Sequence, residues 1–379
     1  MKAACKLGIA LLGIITITTG CWDSTSVEKI NYITALGIDY QKSKFIVYGQ
    51  MMSFGSIAKQ EGTQARTPAT VWVGKGEGDT LNIAMNELYS TAQRKIIWSH
   101  VTTILTSEEA IRHGFSTFVD AIVRFREVRL TPWVFGTRMP IPDILTSEAF
   151  FNLSPLETIS HSPEASYKQK SFITPIKYMT FLADLKEPAK TAILPMLTIN
   201  PDQWYKLKSP HGKMEIDGAL LLSEQKYKGH LSMGELDGLR WVTRQTNRSP
   251  LLVTDRNKKL GVVSLENPSV QVRVSDPSSH PRYTLRISMK GNIVEMVGNF
   301  NDEAMLKRLA EETVKKEVRT TFEKSLALGA DVLQLEYALY LDHYKDWKRL
   351  TEAKQLTLEK DSLAEIDVNI DLIHSGMLR

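Results

Sequence analysis

The cysteine at position 21 has the most specific chemical setting of any residue in this sequence. Two lysines lie within the first six residues, residues 7–19 carry no charge, and Gly20 immediately precedes Cys21. A basic start, an apolar segment and small residues before a cleavage site are typical of a secretory signal peptide. Because a cysteine follows the small residues directly, we interpret the pattern as a lipoprotein box. We expect residues 1–20 to be removed and Cys21 to be acylated.

Two other interpretations of this segment remain open. A transmembrane helix disagrees with the length, because residues 7–19 at about 1.5 Å per residue reach roughly 20 Å, whereas the hydrocarbon core of a bilayer is about 30 Å thick. A simple secretory signal is the closer rival, since Thr18 stands three residues before the cysteine, where lipoprotein boxes usually have leucine. If lipid is attached, two acyl chains hold a chain on a membrane stably, at about 0.8 kcal/mol for each buried CH₂.

Cysteine content and charge restrict the class of protein further. The 379 residues include two cysteines, and Cys5 would leave with the signal peptide. The remaining chain then has no disulfide available and depends on the burial of its core. A formal net charge of +4 is too small to indicate nucleic acid as a partner. The length allows two or three domains.

Signatures of catalysis and metal binding are missing from the sequence. It contains no His-Glu-x-x-His segment, no Gly-x-Ser-x-Gly segment and, after the signal peptide, no cysteine other than Cys21. His100 and His113 are the nearest pair of interest among the histidines, but a predicted change from strand to helix separates them. We therefore predict no enzyme, no catalytic residue, no metal site and no cofactor.

A glycine-rich segment between a predicted strand and a predicted helix is a candidate phosphate loop. Residues 74–80 contain three glycines and lead to a helix amino terminus, where amide groups point outward. The Gly-Lys-Ser/Thr ending of a nucleotide-binding loop is absent. We therefore favour a turn followed by a helix cap at Asp79 or Thr80.

Two groups of charged residues are candidates for contacts with other molecules. A basic group at the end of a predicted helix could meet a partner or lipid headgroups, although a charged helix end that runs into a loop is the simpler interpretation. This group is Arg124, Arg126 and Arg129. An acidic group in the last predicted strand could bind a cation, but alternation with apolar residues favours a solvated sheet face. This group is Glu365, Asp367 and Asp371.

Strands and helices alternate in the first half of the chain, and these elements must position the charged groups. β-Branched and aromatic residues predict the strands. The predicted strands are 33–40, 45–54, 70–73, 101–106 and 130–139. Apolar residues at helical spacing predict two helices, of which the second begins at Ser107. Five prolines between Pro155 and Pro195 indicate irregular linking structure over 143–200 around a helix near 176–185.

The C-terminal part has the clearest periodicity. Apolar and polar residues alternate over 270–274, 283–289 and 366–372, which predicts an antiparallel sheet with one face in water. A long helix that starts after Asn301 or Asp302 carries one apolar stripe, and we expect it to cover the apolar face of the sheet. The stripe is Leu306, Leu309, Ala310, Val314, Val318, Phe322 and Leu326.

These patterns together predict an α+β fold with several domains, in which mixed and antiparallel sheets each pack against helices. After the signal peptide we expect an N-terminal α+β domain over 21–190 that ends in a linker. A middle α+β domain would cover 191–260 and contain a hairpin around 223–226. A C-terminal domain over 261–379 would contain the antiparallel sheet and the long helix.

Several short motifs occur in an order that resembles one known family. The first are Gly20-Cys21-Trp22-Asp23 and Leu36-Gly37-Ile38-Asp39, and segments 94–100 and 124–129 follow. Later motifs are 217–220, 234–241, 329–333 and 373–376. In this order they resemble the spore germination lipoprotein family Ger(x)C, the C subunit of nutrient germinant receptors.

The resemblance implies a non-catalytic, lipid-anchored subunit with three α+β domains. Such a subunit acts with two integral membrane proteins, the A and B subunits, in spore germination in response to small nutrients. It would lie on the outer face of the cell membrane and, in spores, on the inner spore membrane. The alternative is a substrate-binding lipoprotein of a membrane transporter, although such proteins usually show long βαβ patterns, which the C-terminal alternation does not match.

Overall fold

A computed structural model describes residues 30–52, 70–256, 258–297 and 302–373, and over 115–118 it describes the backbone alone. The predicted signal peptide and Cys21 therefore lie outside the described residues. Within the described ranges, none of the helices has the length and apolar character needed to cross a membrane.

The described chain forms three sheets and nine α-helices. The strands are β1 (Ile30–Gln41), β2 (Lys44–Met52), β3 (Val71–Gly78), β4 (Lys95–Ile97), β5 (Thr103–Ser107), β6 (Trp133–Thr137), β7 (Ile176–Lys177), β8 (Thr191–Asn200), β9 (Tyr205–Lys206), β10 (Ser209–Pro210), β11 (Lys213–Ser223), β12 (Lys226–Ser232), β13 (Ser249–Asp255), β14 (Lys258–Ser275), β15 (Arg282–Met296) and β16 (Leu363–Ile373). The helices are α1 (Leu81–Glu87), α2 (Glu108–Arg124), α3 (Ile141–Leu145), α4 (Glu164–Gln169), α5 (Tyr178–Lys186), α6 (Leu239–Val242), α7 (Glu303–Ala327), α8 (Leu335–Asp342) and α9 (Tyr344–Glu352). The predicted α+β class is confirmed.

The helices begin where the sequence places capping residues. The side chain of Thr80 accepts a hydrogen bond from the Ile83 amide at 3.3 Å, and this starts α1. Ser107 caps α2 in the same way through the amide of Ala110, as predicted. Asp302 caps α7, which ends just before Gly329, a residue with a left-handed φ of 68°. Each cap satisfies an amide that the first helical turn leaves without a partner.

The first sheet has ten strands, and its order is β12-β11-β8-β6-β5-β1-β2-β3, with β4 on β1 and β7 on β6. Strands β1, β5, β6 and β8 run parallel, whereas the strands at both ends join through hairpins. Lys42 and Ser43 both have positive φ in the first hairpin turn, and Glu224 and Gln225 do in the last. Two such residues match the twist of the flanking strands. The hairpin predicted around 223–226 is confirmed.

The glycines over 74–78 belong to strand β3 and do not form the predicted break. Strand β3 pairs with β2 along its whole length, and α1 lies directly on it. A Cβ atom on Gly76 would stand 2.1 Å from the Ala84 carbonyl oxygen, and one on Gly78 would stand 2.6 Å from the Ala84 nitrogen. The glycines therefore allow a helix to approach the strand closely, which the sequence pattern did not distinguish from a turn.

Strand β11 lies between two cores because its side chains alternate. Leu220 and Leu222 point into the core that the first sheet forms with α1, α2 and α5. Ala219 and Leu221 point into the core of the C-terminal unit. Since successive residues of a strand face opposite sides, one strand joins both cores.

The second large sheet has the order β13-β14-β15-β16. Helix α7 covers its apolar face with the predicted stripe, in which Leu306, Val314 and Phe322 are fully buried. The prediction of an antiparallel sheet is wrong for the last strand, because β16 runs parallel to β15 over Tyr283–Asn292. The chain between these strands contains α7, α8 and α9 and crosses over the sheet, so β16 returns in the same direction as β15.

The structure also differs from the predicted boundaries at 190 and 260. Strands β8, β11 and β12, which fall in the predicted middle domain, pair within the ten-stranded sheet. Strand β13 pairs with β14 in the second large sheet, and residue 260 lies inside β14. Apart from the two-stranded sheet of β9 and β10, the strands of residues 191–260 therefore belong to the two large sheets, and these residues form no separate sheet core.

Candidate functional site

The three arginines of the predicted contact group lie on an exposed surface. Arg124 is the last residue of α2 and pairs with Asp120 at 2.7 Å, one helical turn earlier. Arg126 and Arg129 are exposed in the loop that follows. The structure thus places the group at a solvated helix end, and its contact with a partner stays a prediction.

The acidic candidates and the two candidate histidines do not come together at one place in the fold. Glu365, Asp367 and Asp371 are exposed on the outer face of β16, as predicted for a solvated sheet face. His113 stacks on Tyr40 with ring centroids 3.5 Å apart, whereas His100 lies edge-on to a different tyrosine. In the described ranges no three His, Cys, Asp or Glu side chains form a group that could hold a metal ion.

A polar cleft of about 450 Å³ opens at the carboxyl ends of the parallel strands. Asp39 stands at the end of β1, Ser107 ends β5, and Thr137 ends β6. Parallel strands bring their carboxyl ends to one edge of a sheet, where open α/β sheets bind ligands. The cleft is therefore the candidate site of the first sheet.

The Glu108 carboxylate is the centre of the charges in this cleft. The Tyr227 hydroxyl donates a hydrogen bond to Glu108 Oε1 at 2.7 Å, and Arg112 Nε donates to the same oxygen at 3.0 Å. Arg138 Nε lies 3.0 Å from Glu108 Oε2, and its Nη1 contacts the ring of His230. One carboxylate therefore ties α2, the end of β6 and strand β12 together.

Burial and hydrogen bonding act in opposite directions on Glu108. Burial raises its pKa, but the hydrogen bonds from Tyr227 and Arg112 and the charges of Arg112 and Arg138 bring the pKa below its ordinary value. Burial, together with the nearby carboxylate, raises the pKa of Tyr227. The pair is thus a carboxylate and a neutral phenol at neutral pH.

The polar side chains of the cleft are mostly engaged with one another. The Ser107 hydroxyl is occupied, since it donates to Asp39 Oδ1 and accepts the amide of Ala110. Arg112 and Arg138 are about half exposed, so they can meet a polar group in the cleft while they neutralise Glu108. Glu108 follows the predicted start of α2 at Ser107 directly, but Tyr227 is 119 residues away in the sequence and gives no local signal.

The junction between the two large sheets contains a second group of buried charges. Arg240 is 4% exposed, and its Nη2 lies 3.0 Å from Glu317 Oε2 on α7. The indole nitrogen of Trp241 donates to the same oxygen at 2.6 Å. The Arg240 guanidinium also stacks on the rings of Phe172 and Trp241. Motif 234–241 therefore joins α7 to the edge of the first sheet.

A cavity of about 690 Å³ lies beside this junction. Gln334 closes one side, where its side chain accepts from the Thr191 amide at 3.1 Å and donates to the Thr191 carbonyl at 2.8 Å. Lys177 lies 3.4 Å above the ring of Trp133 on another side. Gln334 directly follows the motif 329–333. This motif therefore also lies at the junction.

Comparison with known proteins agrees with this fold and with the order of the motifs. Residues 23–199 match the family model described as spore germination protein N-terminal domain. Residues 217–376 match the model described as spore germination B3/GerAC like, C-terminal. The chain belongs to this family of spore germination proteins. The resemblance expected from the motifs is therefore confirmed.

Relatives and one solved structure support the same assignment. YfkR of Bacillus subtilis (strain 168), which is named for spore germination, is 24% identical over 87% of this chain and 86% of its own length. Spore germination protein KC of the same strain is 19% identical over 98% of this chain and 94% of its own length. The crystal structure of the GerBC protein matches with a TM-score of 0.52 and 15% identity, over 89% of this chain and 96% of that chain. This likeness confirms the fold.

Proposed function

We propose that this chain is the lipid-anchored C subunit of a nutrient germinant receptor and that it acts without catalysis beside two integral membrane subunits, A and B. The observation that carries the proposal is the ordered pair of family matches, which extends from residue 23 to residue 376. The first match begins two residues after Cys21, where the sequence predicts the lipid. The protein would lie on the outer face of the cell membrane and, in spores, on the inner spore membrane.

The geometry supports a rigid ectodomain for this task. Glu108 ties α2, the end of β6 and strand β12 together, and Glu317 ties α6 to α7. Strand β11 contributes side chains to both cores. A body joined at several points can hold a fixed surface toward membrane partners, because its parts do not move independently.

Substitution of the predicted lipid site tests the anchor. Cys21→Ala should move the protein from the membrane fraction to the soluble fraction, or leave the signal peptide uncleaved. Cys5→Ala is the matched control, since Cys5 would leave with the signal peptide, and it should change neither outcome. If the Cys21→Ala chain has mature length and stays fully on membranes, partners and not lipid hold it.

Loss of the gene tests the receptor role. Spores that lack the chain should fail to germinate with one group of nutrients and should respond normally to the others. A tagged chain purified from spore membranes should bring integral membrane subunits with it. Tight binding of a nutrient by the isolated protein in calorimetry, without loss of germination in the mutant, would instead support a transporter-feeding lipoprotein.

A further inference from the structure

A group of large apolar side chains is exposed on and beside the hairpin that joins β8 to β11. Two come from the loop after α3 and three from the hairpin formed by β9 and β10. They are Phe150, Phe151, Trp204, Tyr205 and Leu207. Leu207 at the tip of the hairpin is 98% exposed and Phe151 is 83% exposed. Such exposure of neighbouring large apolar residues indicates a contact surface, because isolated exposed residues are common but groups of them are not.

The five side chains form one surface, which we call the aromatic hairpin patch. The ring centroids of Phe150 and Trp204 are 4.9 Å apart and nearly perpendicular, and Phe151 lies 6.0 Å from Phe150. The hairpin is held to the loop by Glu148, whose Oε2 lies 3.2 Å from Lys206 Nζ. Lys213 Nζ also donates to the Glu148 carbonyl at 2.7 Å, so the loop and the hairpin are joined at more than one point without a partner.

Lysines surround the apolar residues of the patch. Lys206 and Lys208 flank Leu207 at the tip, and Lys213 places its Nζ 4.6 Å above the ring of Phe150. Glu148 is the carboxylate that faces them, and Asp202 stands at the base of the hairpin. Three lysines against two acids leave the surface positive, which is complementary to an anionic layer.

The residue types of the patch favour a bilayer over a protein as the molecule that covers it. Lysine is depleted in protein–protein interfaces, and a stable interface needs about 800 Å² on each partner, more than a hairpin tip supplies. At a membrane surface, tryptophan and tyrosine are enriched at the headgroup level, and lysines extend their charged ends toward water and phosphates. The patch has the second composition.

The position of the patch is compatible with the predicted lipid on Cys21, and this step rests on the proposed function. Glu148 shares a groove with Val71, which pairs with Met52, which pairs with Tyr32 near the start of β1. Neighbouring strands are about 4.8 Å apart, so the groove lies on the order of 10 Å from Tyr32. The eight residues between Cys21 and Ile30, the first residue of β1, let the chain reach at most roughly 30 Å. One membrane can therefore meet both the lipid and the patch.

We propose that the aromatic hairpin patch inserts into the headgroup layer of an anionic bilayer and so fixes the orientation of the ectodomain on the membrane. The apolar side chains enter the interface, while Lys206 and Lys208 meet the lipid phosphates. The lipid on Cys21 then supplies attachment, and the patch supplies orientation.

Vesicle binding of a chain without lipid tests the proposal separately from the anchor. Residues 22–379 retain every described residue and contain no cysteine, so Leu207→Cys accepts a single environment-sensitive dye. Vesicles of phosphatidylcholine with one third phosphatidylglycerol should shift the dye emission to the blue, and vesicles of phosphatidylcholine alone should do so less. If the dye emission does not shift on the anionic vesicles, the proposal is overturned, whereas the outcome of the Cys21 test is unaffected.

Matched substitutions distinguish vesicle binding through the patch from nonspecific binding. In cosedimentation with the anionic vesicles, Phe151→Ser with Leu207→Ser should lower partitioning at least tenfold, since two large side chains lose their burial. Leu341→Ser on α8, which removes a leucine that is 59% exposed, should change nothing. Lys208→Glu should lower binding about fivefold or more, whereas Lys316→Glu on α7 should not. Unchanged binding of the double variant overturns the proposal.

A second readout asks whether a protein occupies the patch instead. With the intact receptor in native membranes, the dye at position 207 should be quenched by lipids that carry a quencher in their headgroup region. Quenching that is absent in native membranes, together with crosslinks from position 207 to an integral subunit, overturns the bilayer as occupant and assigns the patch to that protein. Circular dichroism of each variant should match the parent chain, because all substituted side chains are exposed.

Discussion

The two large sheets of this protein bury their side chains in different ways. The ten-stranded sheet is covered on both faces, so it has one core with α1, α2 and α5 and another beneath α3. The four-stranded sheet is covered by α7 on one face and leaves charged residues such as Arg286 and Asp367 in water on the other. When both faces of a sheet are buried, polar side chains on either face need hydrogen-bond partners within the protein. When only one face is buried, polar side chains can lie on the other face in water.

The two regions also bury ionisable groups of opposite kinds. His161, a base, is buried against the first sheet, and Asp331, an acid, is buried in the C-terminal unit. Burial disfavours the charged form of each, so it lowers the pKa of the base and raises the pKa of the acid. Burial therefore makes the stability of the two regions depend on pH in opposite directions.

His161 belongs to a polar network with partners for both ring nitrogens. Nδ1 lies 2.6 Å from Thr102 Oγ1, and Nε2 lies 3.1 Å from Gln50 Oε1. The Gln50 amide donates to the Leu145 carbonyl at 2.7 Å, which ties the end of α3 to the sheet. A neutral imidazole fits these partners, and burial lowers its pKa to about 4.

Asp331 is less completely paired. Its Oδ2 accepts the amide of Glu336 at 2.8 Å, but its Oδ1 is buried and has no hydrogen-bond partner among the described residues. The Tyr283 hydroxyl is also buried without a partner there. Burial, which outweighs the backbone hydrogen bonds, raises the pKa of Asp331 to about 7.

The junction between the regions should give the largest effect. Glu317→Ala removes the nearer counter-charge of the buried Arg240, which keeps only Asp237 at 4.0 Å, and it also removes the acceptor of Trp241. It should lower the free energy of unfolding by about 5 kcal/mol. Glu312→Ala, on an exposed part of the same helix, should cost less than about 0.5 kcal/mol. Urea denaturation followed by circular dichroism measures both. Equal effects of the two substitutions would contradict the role of Glu317 at the junction.

Asp331→Asn should reveal the pH dependence of the C-terminal unit. Between pH 3.8 and about 7 the folded state keeps the proton that the unfolded state releases, so this residue makes the protein less stable as the pH rises. The loss amounts to about 4 kcal/mol over this range. Hydrogen exchange of the α8 amides at several pH values should show this slope in the parent chain and not in the variant. An unchanged slope would exclude Asp331 as its source.

His161→Gln tests the opposite slope in the first sheet. Below pH 6.5 the unfolded state takes up a proton that the folded state accepts only near pH 4, so stability falls as the pH falls through this range. The loss amounts to about 3 kcal/mol. Hydrogen exchange of the β5 amides should lose this slope in the variant, while the α8 amides keep theirs. If the variant loses the pH dependence of hydrogen exchange in both regions, the two regions open as one unit.

The outer face of β16 should give the smallest effect. Asp367→Asn removes an exposed carboxylate that lies 4.0 Å from the Arg286 guanidinium. The free energy of unfolding should change by less than about 0.5 kcal/mol, since exposed ion pairs contribute little. A loss above about 1 kcal/mol in urea denaturation would show that this face is not simply solvated.

Local features of the structure could be predicted from neighbouring residues. Thr80, Ser107 and Asp302 cap helices, because each has a short polar side chain before an apolar helical pattern. Alternation predicted the inner and outer faces of β15 and β16. It could not predict that β16 runs parallel to β15, since a period of two is the same for both directions.

The candidate site was harder to predict, because its residues meet across long stretches of chain. Glu108 has a recognisable place at the start of α2, but Arg138 and Tyr227 reach it only after β6 and β12 join the same sheet. The predicted middle domain failed for the same reason. Edge strands such as β12 look alike in sequence whether they extend an existing sheet or begin a new one.

The sequence by itself determined the helix caps, the hairpin turns, the alternating faces and the family of this protein, because each depends on residue types at short and regular spacing. It also supplied the prediction of a lipid on Cys21, which lies outside the described residues. The tertiary structure decided which strands share a sheet, which charges Glu108 and Glu317 neutralise, and that five apolar residues form the aromatic hairpin patch. These depend on contacts between distant segments, whose free energy exists only when the chain is folded.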